Sequence, residues 1–180
     1  MTLQPVTSES HQDDAALLHL AQQGDVSAYQ QLYDMYVKRV YSLALRLTAD
    51  RGMAEDATQE VFIQVWHKLG NFQYNSKFST WLYSVTSNIT ISYMRKQKNW
   101  LQRVFSSEDV SVPELSTQDN QVTLDQCIMR LPEQTRVVFV LYAIQGLRHD
   151  DIAHQLNIAV GTSKAQLHRA KQLLQEMLDV

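Results

Sequence analysis

The sequence contains few of the residues that turn, break or cross-link a chain. Its 180 residues include five glycines, three prolines and a single cysteine, Cys127. Scarce glycine and proline leave few tight turns, which favours long helices over a many-stranded sheet. One cysteine excludes an internal disulfide and a thiolate zinc site, so the expected compartment is the cytoplasm.

Long apolar runs are also missing. The longest, from Val137 to Ile144, has eight residues, whereas a helix that crosses a bilayer needs about 20. The first residues, MTLQPVTSESHQDD, are polar and acidic, which is not typical of a signal peptide. With an apolar fraction of 44% and a charged fraction of 19%, the composition predicts an ordinary globular chain without membrane insertion.

Acidic residues are absent from one long segment. The net charge is −3, yet residues 70–107 contain five basic side chains and no acidic one. A second basic cluster near the end consists of Lys164, Arg169 and Lys171, with His168 beside them. Because polyanion binding depends on the local field rather than on net charge, both regions are candidates for contacts with nucleic acid.

Helical spacing of apolar residues dominates the first hundred residues. It predicts a short helix that ends near Gly24, followed by longer helices over about residues 26–48, 53–69 and 78–98. Residues 102–121 differ, because they are rich in Ser, Asp and Glu and show no sustained period. Such a segment is typical of a linker.

Two further helices are predicted beyond the linker. One covers about residues 122–130, and the other opens at LPEQ and ends at Gly146. We therefore predict an all-α protein with two small helical domains, residues 1–100 and 122–180, joined by a flexible acidic linker of residues 101–121.

The last 35 residues predict a helix-turn-helix. HDDIAHQL predicts a short helix, NIAV a tight turn with Asn157 in the left-handed conformation, and Thr162 is expected to cap a second helix. In this motif the second helix enters the major groove of DNA. An ordinary hairpin of helices with a solvated basic face is the alternative that the pattern leaves open.

The helix predicted over residues 53–69 mixes carboxylates with large apolar side chains on one face. Asp56, Gln59 and Glu60 lie beside Ile63 and Trp66. A face of this kind suits docking on a basic, amphipathic partner. Packing of Ile63 and Trp66 on another helix of the same domain is an equally good interpretation at this point.

The stretch FSTWLYSVTSNITISYMRKQKNW, residues 78–100, divides into two sets of side chains. One set falls on a single helical stripe and predicts core: Phe78, Trp81, Leu82, Val85, Ile89 and Tyr93. The other set lies off the stripe: Tyr83, Ser87, Asn88, Thr90, Ile91 and Met94. Aromatic and amide side chains beside a basic cluster can hold unstacked bases. A membrane-surface helix is disfavoured, because its basic residues would follow one face rather than gather at the end.

We find no catalytic or metal-ligand pattern in the sequence. The six histidines are scattered, and the helix over residues 53–69 carries no Glu-x-x-His pair. A Gly-rich phosphate loop, a nucleophile elbow and a Cys/His pair are also missing. We therefore predict no enzymatic activity, no metal and no cofactor.

Five motifs in order resemble the extracytoplasmic-function (ECF) sigma factors, the compact two-domain branch of the bacterial sigma family. From about Asp14 to Leu178 they are YDMYVKRVYSLALRLT, AEDATQEVFIQVWHKLGNF, KFSTWLYSVTSN, LPEQTRVVFVLYAIQGL and DDIAHQLNIAVGTSKAQLHRAKQLL. The resemblance implies a subunit that binds core RNA polymerase, recognises the −10 and −35 promoter elements and promotes melting. A helix-turn-helix regulator that never joins polymerase is the first rival, and a protein-binding helical adaptor is the second.

The resemblance also implies roles for individual residues. The segment that docks on the β′ coiled coil of polymerase would contribute Asp56, Gln59, Glu60 and Ile63. The element that melts the −10 motif and captures a flipped base would contribute Phe72, Ser76, Lys77, Tyr83 and Asn88, with Arg95 and Lys96 on the DNA backbone. The −35 reader would contribute Arg148, Thr162, Lys164, Ala165, His168, Arg169 and Lys171. Further implied partners are the β flap of polymerase and an anti-sigma protein.

Four positions depart from the family pattern in the predicted −35 reader. Arg148 follows Gly-Leu where the family usually has Ser or Thr, which removes a hydroxyl cap. Ser163 stands where a branched apolar residue normally anchors the recognition helix, and Ala165 and Gln166 replace residues that are often Ser and Arg. We therefore expect a less firmly seated recognition helix and a divergent or weaker −35 preference.

Overall fold

A computed structural model describes residues 9–104 and 123–178 of the chain. These residues form helices and no strand, which confirms the all-α prediction. The helices are α1 Glu9–Gln22, α2 Val26–Thr48, α3 Arg51–Lys68, α4 Phe78–Val104, α5 Leu124–Arg130, α6 Glu133–Phe139, α7 His149–Leu156 and α8 Val160–Leu178. A 3₁₀ turn, Leu69–Asn71, prolongs α3, and a π-helical turn, Val140–Ile144, prolongs α6. Most of the predicted linker lies outside the described residues.

Three helix boundaries differ from the prediction. Helix α3 begins at Arg51 rather than Met53, because the side chain of Asp50 caps it by accepting from Met53 N. Helix α4 continues to Val104, since no glycine or proline interrupts the residues after 98. Helix α8 begins at Val160, and Thr162 therefore lies inside its first turn and is not the cap.

The first domain is a bundle of α1 to α4 around a main apolar cluster and a smaller alanine cluster. The stripe predicted on α3 is confirmed: Ala54, Ala57, Val61, Val65 and Leu69 are all buried. Val61, Val65 and Leu69 pack in one cluster with inward side chains of α2 and α4. Ala54 and Ala57 form a smaller cluster with Ala44 of α2. The edge of α3 that does not pack on α2 or α4 therefore lies on the surface of the domain.

The two domains share a second apolar cluster. From the first domain it takes Leu43, Leu47 and Ile91, and from the second it takes a larger set that includes Cys127, Ile128, Leu131, Val138, Leu141, Ile152 and Leu174. Tyr83 and Met94 of α4 pack against its edge. The second domain is therefore seated on the first rather than held at a distance from it.

This seating corrects the predicted inward stripe of α4. Phe78 and Leu82 are buried as expected, but so are three residues assigned to the other face, Ser87, Thr90 and Ile91. Helix α4 packs on α2 and α3 with one side and meets the second domain with another. The prediction of one apolar stripe assumed that α4 has one buried face, whereas residues on a second face of α4 are also buried.

Two buried threonines on α4 predict a stability difference. Thr86 Oγ1 donates to Leu82 O at 2.8 Å, whereas Thr90 Oγ1, one turn later, has no hydrogen-bond partner among the described residues. Burying an unsatisfied hydroxyl costs about 1–3 kcal/mol. We expect Thr90→Val to raise the free energy of unfolding by about 1 kcal/mol. Thr86→Val should lower this free energy or leave it unchanged. Both variants are measured by urea denaturation. Equal losses in both variants would contradict this.

Candidate polymerase and nucleic-acid interfaces

The exposed edge of α3 and the neighbouring face of α2 form an aromatic groove. Its volume is about 570 Å³, and its lining consists of Tyr29, Tyr33, Gln59, Phe62, Ile63, Trp66 and His67. Ile63 is 52% exposed, whereas Trp66 packs edge-to-face on Tyr29 with ring centroids 4.8 Å apart. The sequence left open whether Ile63 and Trp66 face a partner or pack within the domain. Trp66 packs within the domain, whereas the side chain of Ile63 faces outward.

Hydrogen bonds stiffen the walls of the aromatic groove. The Tyr29 hydroxyl donates to Phe62 O across the two helices, and burial raises the pKa of Tyr29. Tyr33 meets Phe62 edge-to-face at 4.6 Å. These contacts join the α2 and α3 walls of the groove in the chain without a partner.

The three polar residues predicted on the α3 face have different surroundings. Tyr93 Oη donates to Asp56 Oδ2 at 2.7 Å, which ties α3 to α4. This bond is the main cause that raises the pKa of Tyr93, because the phenolate would face a carboxylate. Glu60 accepts from Gln64 Nε2 at 3.0 Å, and Gln59 is exposed on the groove. All three remain on the outer side of the domain.

The predicted −10 residues of the loop before α4 fall into two groups. Ser76 and Lys77 are exposed, but Phe72 is only 6% exposed. Its ring packs against Phe78 and Trp81, with centroids 5.8 and 5.3 Å away. In this structure Phe72 supports the loop from inside instead of presenting a free stacking surface.

Tyr74 is the exposed aromatic side chain of the same loop, and the sequence interpretation assigned it no role. Its φ is 56°, in the left-handed region that turns the chain sharply. The hydroxyl donates to Gln22 Oε1 at 2.9 Å, while Gln22 Nε2 donates to Leu69 O and Phe72 O. Helix α1 thereby fixes the loop conformation through one glutamine.

The predicted −10 residues on α4 meet the second domain. Gln155 Nε2 donates to Asn88 Oδ1 at 2.8 Å, and Arg95 Nη2 donates to Gln155 O at 3.1 Å. Gln145 Nε2 lies 3.4 Å from Tyr83 O. The adjacent Lys96 is exposed. Asn88 and Arg95 stay exposed while they make these contacts, and Tyr83 is half-buried.

The helix-turn-helix is formed as the sequence predicts. Helix α7 ends at Asn157, whose φ of 55° is left-handed and lets the chain turn into α8. Arg148 occupies the N-cap position of α7 and makes no side-chain cap hydrogen bond there, which agrees with the expected loss of a hydroxyl cap. The outer face of α8 is exposed and carries Lys164, Ala165, His168, Arg169 and Lys171.

Ser163 is anchored by a polar contact rather than left loose. It is fully buried, and its Oγ lies 2.9 Å from His149 Nδ1 on α7. The His149 ring in turn stacks on Tyr142 at a centroid distance of 4.6 Å. The expectation of a less firmly seated recognition helix rested on lost apolar packing, and this hydrogen bond links the two helices by other means.

Arg136 is the residue at the domain junction that sequence reasoning missed. It is 7% exposed and donates to Leu47 O, Thr48 O and Leu131 O. Arg136 stands directly before the apolar stretch that follows LPEQ, and arginine is rarely buried without partners. Its position could therefore have indicated a buried, hydrogen-bonded arginine. The identity of those partners is not encoded locally, because two of them belong to the other domain.

The described part of the chain shows neither a metal-binding cluster nor a candidate membrane-spanning helix. No group of three His, Cys, Asp or Glu side chains is placed to hold a metal ion. Among the described helices, none has the length and hydropathy that a membrane-spanning segment needs.

Comparison with known proteins gives matches to both halves of the chain. The model for Sigma-70 region 2 matches residues 32–99, and that for Sigma-70, region 4 matches residues 121–174. The chain is 33% identical over 173 residues to the ECF RNA polymerase sigma factor SigW of Bacillus subtilis, covering 86% of this chain and 91% of the relative. It is 27% identical over 184 residues to the RNA polymerase sigma-H factor of Pseudomonas aeruginosa, covering 94% and 95%.

A solved structure agrees with these matches. The sigma factor RpoE from Bartonella quintana, in complex with the anti-sigma factor NepR, has a TM-score of 0.62 and 25% identity, covering 86% of this chain and 99% of that one. Two sigma-70 regions on an all-helical fold define a sigma factor of RNA polymerase. This chain belongs to the ECF sigma factors. Its role is promoter specificity in transcription, and nothing in the comparisons favours a regulator that works apart from polymerase.

The contact between Ser163 and His149 predicts a stability effect. A hydrogen bond of this kind is worth about 1 kcal/mol, and its loss leaves a ring nitrogen of the half-buried His149 without this partner. We expect Ser163→Ala to lower the free energy of unfolding by about 1 kcal/mol, measured by urea denaturation of the full chain. Ser92→Ala, at an exposed serine of α4, is the matched control, and an equal effect of the two would contradict the anchoring role.

Proposed function

We propose that this sigma factor divides its work among three surfaces. The exposed edge of α3 with the aromatic groove binds core RNA polymerase, the loop before α4 and the polar residues of α4 bind the −10 element, and the outer face of α8 reads the −35 element. The observation that carries the proposal is Ile63, which is 52% exposed on a helix that also presents carboxylates. A regulator that acts alone has no use for such a face.

The chemistry of the α3 edge defines the partner it fits. Gln59 and Ile63 lie on the aromatic groove, with Asp56 and Glu60 on the same helix. Exposed apolar side chains next to carboxylates suit a helix that carries both apolar and basic residues. The coiled coil of the β′ subunit is the partner we assign to this edge, and the β flap is assigned to the second domain.

The outer face of α8 suits duplex DNA. Lys164, His168 and Arg169 are exposed near the N-terminal half of the helix, which in this motif reaches base edges. We assign Lys171 and Arg148, which are also exposed, to the phosphate backbone. Ala165 offers a methyl contact, so the face reads fewer bases by hydrogen bonds than a fully polar one.

The −10 surface combines cations with one exposed ring. Ser76, Lys77 and Lys96 are exposed, and Tyr74 presents its ring beside them. Base stacking on an aromatic side chain is worth about 1–3 kcal/mol, which offsets part of the cost of a flipped base. We assign the stacking role to Tyr74 and a supporting role to Phe72, while Tyr83, Asn88 and Arg95 complete the surface on α4.

Further partners and the place of action follow from the family. RpoE of Bartonella quintana was solved with the anti-sigma factor NepR, and we propose an antagonist of that class for this chain. We assign its work to the cytoplasm, where bacterial transcription takes place. The chemistry of RNA synthesis belongs to core polymerase, and we assign no catalytic residue, metal or cofactor to this chain.

Binding to core polymerase is the first test. Ile63→Asp places a charge on the aromatic groove without touching the domain core, and interface anchors of this kind are worth about 2 kcal/mol or more. We expect at least about a tenfold loss of affinity for purified core polymerase, measured by pull-down and fluorescence anisotropy. Leu20→Asp, at an exposed leucine of α1, is the control and should bind normally. A folded wild-type chain that does not bind would overturn the proposal.

Promoter-directed transcription is the second test. Run-off transcription with core polymerase over a genomic fragment library first identifies a promoter. On it we expect the double variant Lys164→Glu and Arg169→Glu to lose most of its activity, because two phosphate or base contacts become repulsive. Lys38→Glu with Arg39→Glu, an exposed pair on α2, is the control of equal charge change. Unchanged transcription in the α8 variant would favour an adaptor without DNA contacts.

A further inference from the structure

The loop before α4, residues 72–77, has little backbone hydrogen bonding of its own. Residues 73–76 make no backbone–backbone hydrogen bond within the described part of the chain. Tyr74 in this loop has a φ of 56°, which is unfavourable for a residue other than glycine. A conformation of this kind persists only where surrounding contacts hold it. The shape of the loop therefore depends on contacts made by side chains.

Gln22, the last residue of α1, supplies hydrogen bonds to both sides of this loop. Its Nε2 donates to Leu69 O at 2.9 Å and to Phe72 O at 3.0 Å. Its Oε1 accepts from the Tyr74 hydroxyl at 2.9 Å. An amide both donates and accepts, whereas a carboxylate has no donor and an ammonium group has no acceptor. Gln22 thus fixes the backbone that enters the loop and also the direction of the Tyr74 side chain.

The Tyr74 ring is held at two points and still presents a free surface. Its hydroxyl is bound to Gln22, and its centroid lies 4.9 Å from that of the buried Phe72 ring. The side chain is nevertheless 49% exposed. A binding group that is already fixed in place loses less conformational freedom when its partner arrives. The Tyr74 ring is therefore prepared for stacking before a base reaches it.

Helix α1 also lies beside the exposed side of the loop. A cavity of about 160 Å³ is lined by Tyr74, Ser76 and Lys77 of the loop together with Ala15 and Leu18 of α1. The match to Sigma-70 region 2 begins at residue 32, so α1 lies outside it. The place of α1 next to the assigned −10 residues follows from these contacts alone.

We propose that Gln22 is a positioning residue for −10 recognition. It acts through Tyr74, by holding the loop in the conformation in which the ring stacks on a captured base. Without its hydrogen bonds the left-handed conformation at Tyr74 loses its support, and the ring no longer offers one fixed surface. The inference rests on the proposed role of this loop, and of Tyr74 in particular, in capturing a base of the −10 element.

Three variants isolate the contribution of Gln22. Gln22→Met keeps an unbranched side chain of similar length but removes the amide and with it all the bonds to the loop. Tyr74→Phe keeps the ring and removes only the bond to Gln22 Oε1, so it tests the inference even if Gln22→Met destabilises the domain. Gln23→Met is the matched control, because Gln23 is exposed and its side chain contacts only His19 of the same helix.

The measurement uses holoenzyme assembled from core polymerase and the full chain. It is titrated with a labelled single strand that carries the −10 sequence of a promoter identified by run-off transcription. Replacing each position in turn by an abasic residue locates the captured base, and the resulting loss of affinity is the abasic penalty. In the parent chain we expect an abasic penalty of about tenfold, because stacking on an aromatic side chain is worth about that much.

The abasic penalty should disappear when the ring is no longer positioned. We expect Gln22→Met to bind the intact strand about tenfold more weakly and to show an abasic penalty of about twofold or less. Tyr74→Phe should fall between this variant and the parent chain, and Gln23→Met should match the parent. A full abasic penalty in both Gln22→Met and Tyr74→Phe would overturn the inference.

A purely structural role for Gln22 predicts a different result. Asp50→Ala removes the side-chain cap of α3 at the end of that helix away from the loop, and the loss of such a cap lowers stability. We expect this variant to keep the full abasic penalty although it is less stable than the parent chain. If Asp50→Ala loses the penalty to the same degree as Gln22→Met, the effect comes from lost stability and the positioning role is wrong.

Tyr74→Ala distinguishes failure of this inference from failure of the proposed function. If this variant keeps the full abasic penalty, Tyr74 does not stack on the captured base, and the proposed assignment and the inference fail together. If Tyr74→Ala loses the penalty while Gln22→Met keeps it, only the inference fails. A parent chain that joins polymerase but shows no penalty at any position contradicts base capture itself.

Discussion

A buried arginine at the carbonyl end of a helix is the contact on which the arrangement of this molecule depends. Removing a guanidinium from water is costly unless each donor finds an acceptor, and hydrogen bonds to a charged group are worth about 1.5–3 kcal/mol each. Arg136 finds its acceptors in Leu47 O, Thr48 O and Leu131 O, and burial lowers its pKa through desolvation. Two of these acceptors exist only where α2 ends, so the contact fixes the place at which the second domain is seated.

The position of that contact explains why α4 is buried on more than one side. Once the second domain is seated at the end of α2, one side of α4 packs against the edge of the cluster that the two domains share. Ile91 then joins the shared cluster, and Ser87 is covered although its neighbours on the sequence are polar. The same seating leaves α8 with its basic face outward. The seating of the second domain thus buries part of α4 and leaves the basic face of α8 exposed.

The features that the sequence predicts well are those set by nearby residues. The core stripe of α3, the left-handed turn at Asn157 and the exposed face of α8 all follow from spacing or from one residue's conformational preference. The burial of Ile91 and the partners of Arg136 depend on contacts between residues that are distant in the sequence, such as residues 47 and 136. The spacing of apolar residues within one helix does not encode such contacts. The orientation of Phe72 is not encoded locally either, because an aromatic residue in a loop can face either way, and here its ring packs on Phe78 and Trp81.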